Sequence, residues 1–171
     1  MERDIPHPKI YLGLGANLPS EAGDPVATLE LALTDIAAVG ISILRRSPWY
    51  ESAPVPRADD QPWYVNGVVE VATALDPGAL LSVLQGLEAK SGRVRSVANA
   101  PRPLDLDIIA YGAVVNTGPN PPLLPHPRMD VRAFVLLPLQ AIAPDWRHPI
   151  SGQSVGELIA VLPPDQEIRL L

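Results

Sequence analysis

The chain has no cysteine in its 171 residues, which excludes both a disulfide framework and a thiolate metal site. No apolar run approaches the roughly 20 residues of a membrane-spanning helix. Residues Met1 to Lys9 are polar and broken by Pro6 and Pro8, unlike a secretion signal. A cytoplasmic protein with no membrane partner is therefore the expectation. Positive charge is scarce: 13 Lys and Arg stand against 19 Asp and Glu, a formal net charge of −6. With no broad basic face, the acidic balance disfavours nucleic acid, and no nucleic-acid partner is expected. Glycine-rich phosphate loops are missing too. Gly13-Leu14-Gly15 starts like a dinucleotide fingerprint, but position 18 is Leu18, Pro19 follows at once, and no Walker A motif occurs anywhere.

Proline is abundant, 21 residues, and gathers between the periodic segments, so long stiffened loops are expected. The length suits one domain, 1–171, with residues 1–8 read as a flexible N-terminal tail. Lys9 to Gly15 reads as a buried first strand. Asp24-Pro25 is an N-cap acid followed by proline at the first helical position, and Leu29, Leu33 and Ile36 then recur at helical spacing up to Gly40. Ile41 to Ser52 reads as a second strand, Ala53 to Pro62 as a surface loop, and Tyr64 to Ala74 as a third strand. Asp76-Pro77 repeats the helix start, with Leu80, Leu81, Leu84 and Leu87 as its apolar stripe. A fourth strand follows at Asp105. The order βαββαβ predicts an α+β fold, a ferredoxin-like antiparallel sheet with both helices on one face. A C-terminal helical extension is expected from Asp130 to Ala143, interrupted at Pro138, and from Ser154 to Leu162.

The chemistry concentrates in residues 101–109, Pro-Arg-Pro-Leu-Asp-Leu-Asp-Ile-Ile. Leu104, Leu106 and Ile108 alternate with Asp105 and Asp107, the period of a half-buried strand. Residues i and i+2 of a strand lie roughly 6–7 Å apart, so the two carboxylates share a face and repel each other. Their hard oxygens suit Mg²⁺, which takes one or two carboxylates and completes its shell with phosphate oxygens. The plain alternative is a solvated strand face. Arg93, Arg95 and Arg102 stand just upstream, with no acidic residue between Arg93 and Pro103. Arginine's planar fork pairs with phosphate oxygens, so metal carboxylates beside phosphate-binding arginines form a candidate metal–nucleotide site.

These residues carry a resemblance. Gly92-Arg93-Val94-Arg95, Pro101-Arg102-Pro103-Leu104-Asp105-Leu106-Asp107 and Pro125-His126-Pro127-Arg128 resemble the 6-hydroxymethyl-7,8-dihydropterin pyrophosphokinases of folate biosynthesis. Gly13-Leu14-Gly15-Ala16-Asn17 and Gln61-Pro62-Trp63-Tyr64-Val65-Asn66 extend the likeness over roughly residues 9–150, in the family's order. The resemblance implies pyrophosphate transfer from the co-substrate ATP to the pterin's hydroxymethyl group. Asp105 and Asp107 become ligands of Mg²⁺, two ions in this reading, and Arg93 and Arg102 engage the triphosphate and its transition state. Gln85, Glu88, Arg95, His126 and Arg132 fall at nucleotide contacts. Tyr64 and Phe134, the only phenylalanine, fall at pterin-stacking positions, Asn66 at the amide that reads the pterin edge, and Ser52, Ala53 and Val55 along the pocket. The Gly-Ala-Asn turn is structural in this reading, Arg128 is left without a role, and a monomer is expected.

The chain departs from the common family pattern at Ser96 to Pro101, one residue shorter than a common form and without its extra basic residue and closing aromatic. Closing loops exclude water and complete a site, so lid closure and turnover are where this chain should differ. Leu123 stands where a polar nucleotide contact is common. Two other readings remain: a Mg-dependent kinase or nucleotidyltransferase of other specificity, and a catalytically inactive ferredoxin-like nucleotide-binding module.

Overall fold

The computed structural model describes residues 7–54, 60–92 and 103–171. The elements run β1 (Ile10–Ala16), α1 (Pro25–Ala38), β2 (Ser42–Arg46), β3 (Tyr50–Ser52), β4 (Tyr64–Ala72), α2 (Pro77–Lys90) and β5 (Asp105–Tyr111). A 3-10 turn at Met129–Val131, α3 (Ala133–Ile142), α4 (Val155–Ala160) and β6 (Ile168–Leu170) complete the chain. One sheet holds the six strands in the order β5-β1-β4-β3-β6, with β2 also on β4, and each strand pair is antiparallel. This is the expected ferredoxin-like core, in which β2 and β3 together occupy the place of the second strand.

Both predicted helix starts form as read. Asp24 Oδ1 accepts the Ala27 amide at 2.9 Å, and Asp76 Oδ1 accepts the Ala79 amide at 2.8 Å. Proline follows each cap at the first helical position, where its missing N–H costs no helical bond. Each such cap is worth about 1 kcal/mol.

Strand alternation separates two cores. Ile10, Leu12 and Leu14 of β1, Leu106 and Ile108 of β5, and Val65, Val69 and Val71 of β4 pack with α1 and α2 on one face. Tyr11, Val68, Ile109 and Ala110 pack with α3 and α4 on the other. The first two helices therefore share one face as expected, and the C-terminal extension covers the second. Tyr11 sits in that second core with its hydroxyl donating to Glu70 Oε1 at 3.4 Å. Burial, reinforced by the Glu70 charge, pushes its pKa up to about 12, so it remains a donor.

Two boundaries depart from the sequence reading. The strand expected over 41–52 breaks at Ser47-Pro48-Trp49. Pro48 has no amide for the ladder, while Ser47 holds β4 across the break, its N–H donating to Val68 O at 2.9 Å and its Oγ accepting from Val68 N at 3.0 Å. Trp49 then packs against Gly67, where an added Cβ would stand 2.5 Å from the indole. The helix expected to break at Pro138 instead runs through it, and the interruption falls earlier, at Arg132. Pro138 removes only the bond from its own amide to the Phe134 carbonyl, and its ring is buried among the apolar residues of α3. Strand β6 lay outside the sequence reading altogether. The tail 1–6 and the loop 96–101 lie outside the described residues.

Candidate active site

Strand register brings the predicted residues together. Gly15 of β1 pairs with Asp105 on β5 and with Asn66 on β4; Gly13 pairs with Asp107 and with Val68. Adjacent strands stand about 4.8 Å apart, so Asp105 and Asn66 lie in one row about 10 Å apart with only a glycine between them. Asp105 and Asp107 of β5, before its bulge, and the even positions of β4 point to the α3 side of the sheet. The two carboxylates, Asn66 and Tyr64 consequently share one face, as the alternation predicts.

Gly13, Gly15, Asn66, Asp105, Asp107 and Phe134 line the floor of a cleft whose enclosed part is about 30 Å³. A Cβ on Gly15 would sit 3.1 Å from Asn66 Oδ1, and one on Gly13 3.0 Å from Ile109 Cδ1. The glycines keep the floor open. The sequence reading placed Gly13 in the first strand and gave the Gly15-Ala16-Asn17 turn a structural part only; the available signal was two glycines, two apart, on a strand bordering the carboxylate strand. A larger hollow of about 440 Å³ opens between α1 and α2 on the other face. Its acids are Glu21 and Asp35, the latter paired with Lys90 at 3.4 Å, and neither Asp105 nor Asp107 lines it, so the predicted carboxylates belong to the smaller cleft.

Asn66 is 4% exposed, and its Nδ2 donates to Ser52 Oγ at 2.7 Å, so Ser52 sets the amide's orientation. Ser52 stands opposite Tyr64 in the β3–β4 register, and the buried Ala53 donates its amide to Glu167 O at 3.0 Å. Arg132 occupies the N-cap position of α3 and lays its guanidinium over the Phe134 ring, 5.3 Å from the centroid. His126 is tied to β5 by its amide, which donates to Ile109 O at 2.8 Å. Its Nδ1 accepts the Arg128 amide at 3.2 Å, which assigns the ring proton to Nε2. Burial, then the Arg132 charge, lowers its pKa to about 4; Arg128 adds to the shift and Asp105 opposes it. The 126–132 segment thus brings His126, Arg128 and Arg132 to the Asp105 end of β5, and Arg128 gains an electrostatic part that the sequence did not suggest.

Gln85 and Glu88 do not present a common surface. Gln85 is exposed, whereas Glu88 is 1% exposed and accepts the Leu106 amide at 3.1 Å through Oε2. That amide lies between the two aspartates on an edge strand. Arg93, Arg95, Arg102 and Val55 lie outside the described residues.

Fold and cleft together define a class: a ferredoxin-like α+β protein with paired carboxylates, a buried amide and an aromatic gathered around a glycine floor. Residues 11–144 match the model of the 7,8-dihydro-6-hydroxymethylpterin-pyrophosphokinase (HPPK) family. The chain is 42% identical over 158 residues to the 2-amino-4-hydroxy-6-hydroxymethyldihydropteridine pyrophosphokinase of Methylorubrum extorquens, covering 91% of this chain and 94% of that protein. It is 38% identical over 156 residues to the folic acid synthesis protein fol1 of Pneumocystis carinii, covering 91% of this chain but only 20% of that longer protein. The Plasmodium falciparum HPPK-DHPS crystal structure with pteroate shares the fold with a TM-score of 0.70 at 14% identity, over 91% of this chain and 44% of that one. The chain belongs to the HPPK family. Among the described residues, no helix is long and apolar enough to cross a membrane.

Proposed function

We propose that this chain transfers pyrophosphate from ATP to the hydroxymethyl group of 6-hydroxymethyl-7,8-dihydropterin and releases AMP, a step of folate biosynthesis. The hydroxyl oxygen bonds to the β-phosphorus, the bond from that phosphorus to the oxygen bridging toward the α-phosphate breaks, and the hydroxyl proton passes to water. The observation that carries this reading is the cross-sheet row of Asp105, Gly15 and Asn66, which sets a carboxylate side and an amide side about 10 Å apart on one open floor.

The donor set fits magnesium. Asp105 and Asp107 offer hard oxygens, and among the described residues no group of three His, Asp or Glu forms a closed cage. That suits an ion which leaves most of its shell to phosphate and water. Two such ions held at Asp105 and Asp107 would neutralise triphosphate charge and polarise the transferred group. Arg93 and Arg102 engage the triphosphate, and Arg95, Gln85, His126 and Arg132 hold the nucleotide, with the neutral His126 donating from Nε2. Glu88 supports the nucleotide side from beneath by holding β5. Tyr64 and Phe134 stack on the flat heterocycle, Asn66 reads its hydrogen-bonding edge, and Ser52, Ala53 and Val55 complete that wall. The reading takes a monomeric, cytoplasmic enzyme.

Nucleotide product analysis tests it. Incubation with ATP, Mg²⁺ and the hydroxymethyl-dihydropterin should release AMP only when all three are present. ADP in place of AMP, or AMP formed without the pterin, overturns it.

A further inference from the structure

The match to the HPPK family model ends at residue 144, yet the last residues of the chain return to the cleft. Helix α3 begins without a side-chain cap of its own, because Arg132 at its N-cap position makes no capping bond. The missing acceptor comes from far away in sequence. Gln166 Oε1 accepts the Ala133 amide at 2.9 Å, and Gln166 Nε2 donates to the Val131 carbonyl at 2.8 Å. One planar amide therefore clips the backbone on both sides of Arg132, in the turn that aims Arg132 and Phe134.

The residues that follow bind the opposite wall. Glu167 O accepts the Ala53 amide, and β6 then pairs with β3, Ile168 against Ser52 and Arg169 against Glu51. Arg169 forms an ion pair with Glu51 and lies over Trp63, 4.9 Å from the ring centroid, next to Tyr64. Four consecutive residues, 166–169, thus touch the Ser52–Asn66 side and the Phe134 side of one cleft. We infer that Gln166 is a positioning residue for the pterin half of the site, which holds Phe134 and Arg132 at a set distance from the Asn66 wall. The inference rests on the activity proposed above. Misplacement by about 1 Å at a distance from the chemistry can lower rates about a hundredfold, so losing the clip should register clearly.

The test compares Gln166→Ala, Gln166→Glu and Arg169→Ala with the wild type by steady-state kinetics, by pterin binding with ATP absent, and by amide exchange at Ala133 with no substrate. Gln166→Ala should raise the KM for pterin about tenfold or more and speed Ala133 exchange. Gln166→Glu keeps an acceptor for the Ala133 amide but sets a carboxylate oxygen against the Val131 carbonyl, and should fall between Gln166→Ala and the wild type. It also carries the test if the alanine variant does not fold. Arg169→Ala loosens the tail elsewhere and should leave the KM for pterin within about twofold, since exposed ion pairs contribute little. An unchanged KM for pterin in both Gln166 variants, with lowered thermal stability alone, overturns the positioning role. An effect of Arg169→Ala equal to that of Gln166→Ala overturns the assignment to Gln166. A wild type that yields no AMP overturns the proposed activity instead, and the two failures are thereby told apart.

Discussion

Asp105 and Asn66 occupy one row across the sheet, with Gly15 as the only residue between them. Gly15 contributes no side chain to the space between them, and Asn66 Oδ1 stands 3.1 Å from where a Cβ on Gly15 would be.

Gly15→Ala should damage that space directly. The added methyl would stand 3.1 Å from Asn66 Oδ1, and the amide cannot swing aside without stretching its 2.7 Å bond to Ser52. Gly15 has no positive φ, so the effect is one of volume and not of backbone strain. Overpacking a fitted site costs about 1–3 kcal/mol, and affinity for pterin should fall about tenfold. Gly13→Ala meets only the flexible end of Ile109 at 3.0 Å and should cost less. Isothermal titration of both variants with pterin checks the order; equal affinities would contradict it.

How much of this was legible beforehand depends on the range of the interaction. The carboxylate pair and the Tyr64–Asn66 pair followed from period-two alternation, and both N-caps from Asp-Pro, because each signal lies within a few residues. Glu88 is different. On its helix it looks like a polar surface residue, and only the position of β5, 18 residues away, turns it inward. Gln166 reaches 33 residues back to Ala133, and nothing near it in the chain names that partner. The break at Pro48 could have been foreseen from proline's missing donor. The survival of α3 through Pro138 could not, since burial against the sheet outweighs one lost helical bond.

Glu88 should matter through strand placement. In Glu88→Ala the Leu106 amide loses its buried acceptor, a loss of about 1–3 kcal/mol, and the strand carrying both aspartates loosens. Glu88→Gln keeps an acceptor oxygen and should recover most of the stability. Denaturant midpoints together with amide exchange at Leu106 check this; slow Leu106 exchange in the alanine variant would contradict it.

The pH dependence follows from His126. Its folded pKa, about 4, lies below the ordinary value of 6.5, so between these limits the unfolded chain binds the extra proton. Stability from this group is complete above about pH 6.5 and is lost as the pH falls toward 4. His148 is also lowered, chiefly by burial, and acts in the same direction, so the comparison must isolate one ring. His126→Gln should flatten part of the acid limb of the unfolding curve. An NMR midpoint for His126 near 6.5 in the wild type would contradict the assignment.

Under the proposed metal role, a change at Asp107 should separate chemistry from binding. It faces the cleft beside Gly13, on the carboxylate side and away from Asn66 and Ser52. Asp107→Asn keeps the shape of the side chain and its place in the strand but removes a full negative charge from the metal side. Metal stabilisation of a phosphoryl transition state is worth several kcal/mol, and each 1.36 kcal/mol is a factor of ten in rate. Turnover should therefore fall by about 10² to 10⁴, and the Mg²⁺ concentration for half-maximal rate should rise. Pterin affinity measured without ATP should stay within about twofold, because the amide wall is untouched. Parallel measurement of AMP release across a Mg²⁺ series and of pterin binding by fluorescence decides the matter. A variant that turns over at the wild-type rate would remove Asp107 from the metal side, and one that loses pterin binding as well would show that the carboxylate holds the cleft floor in place instead.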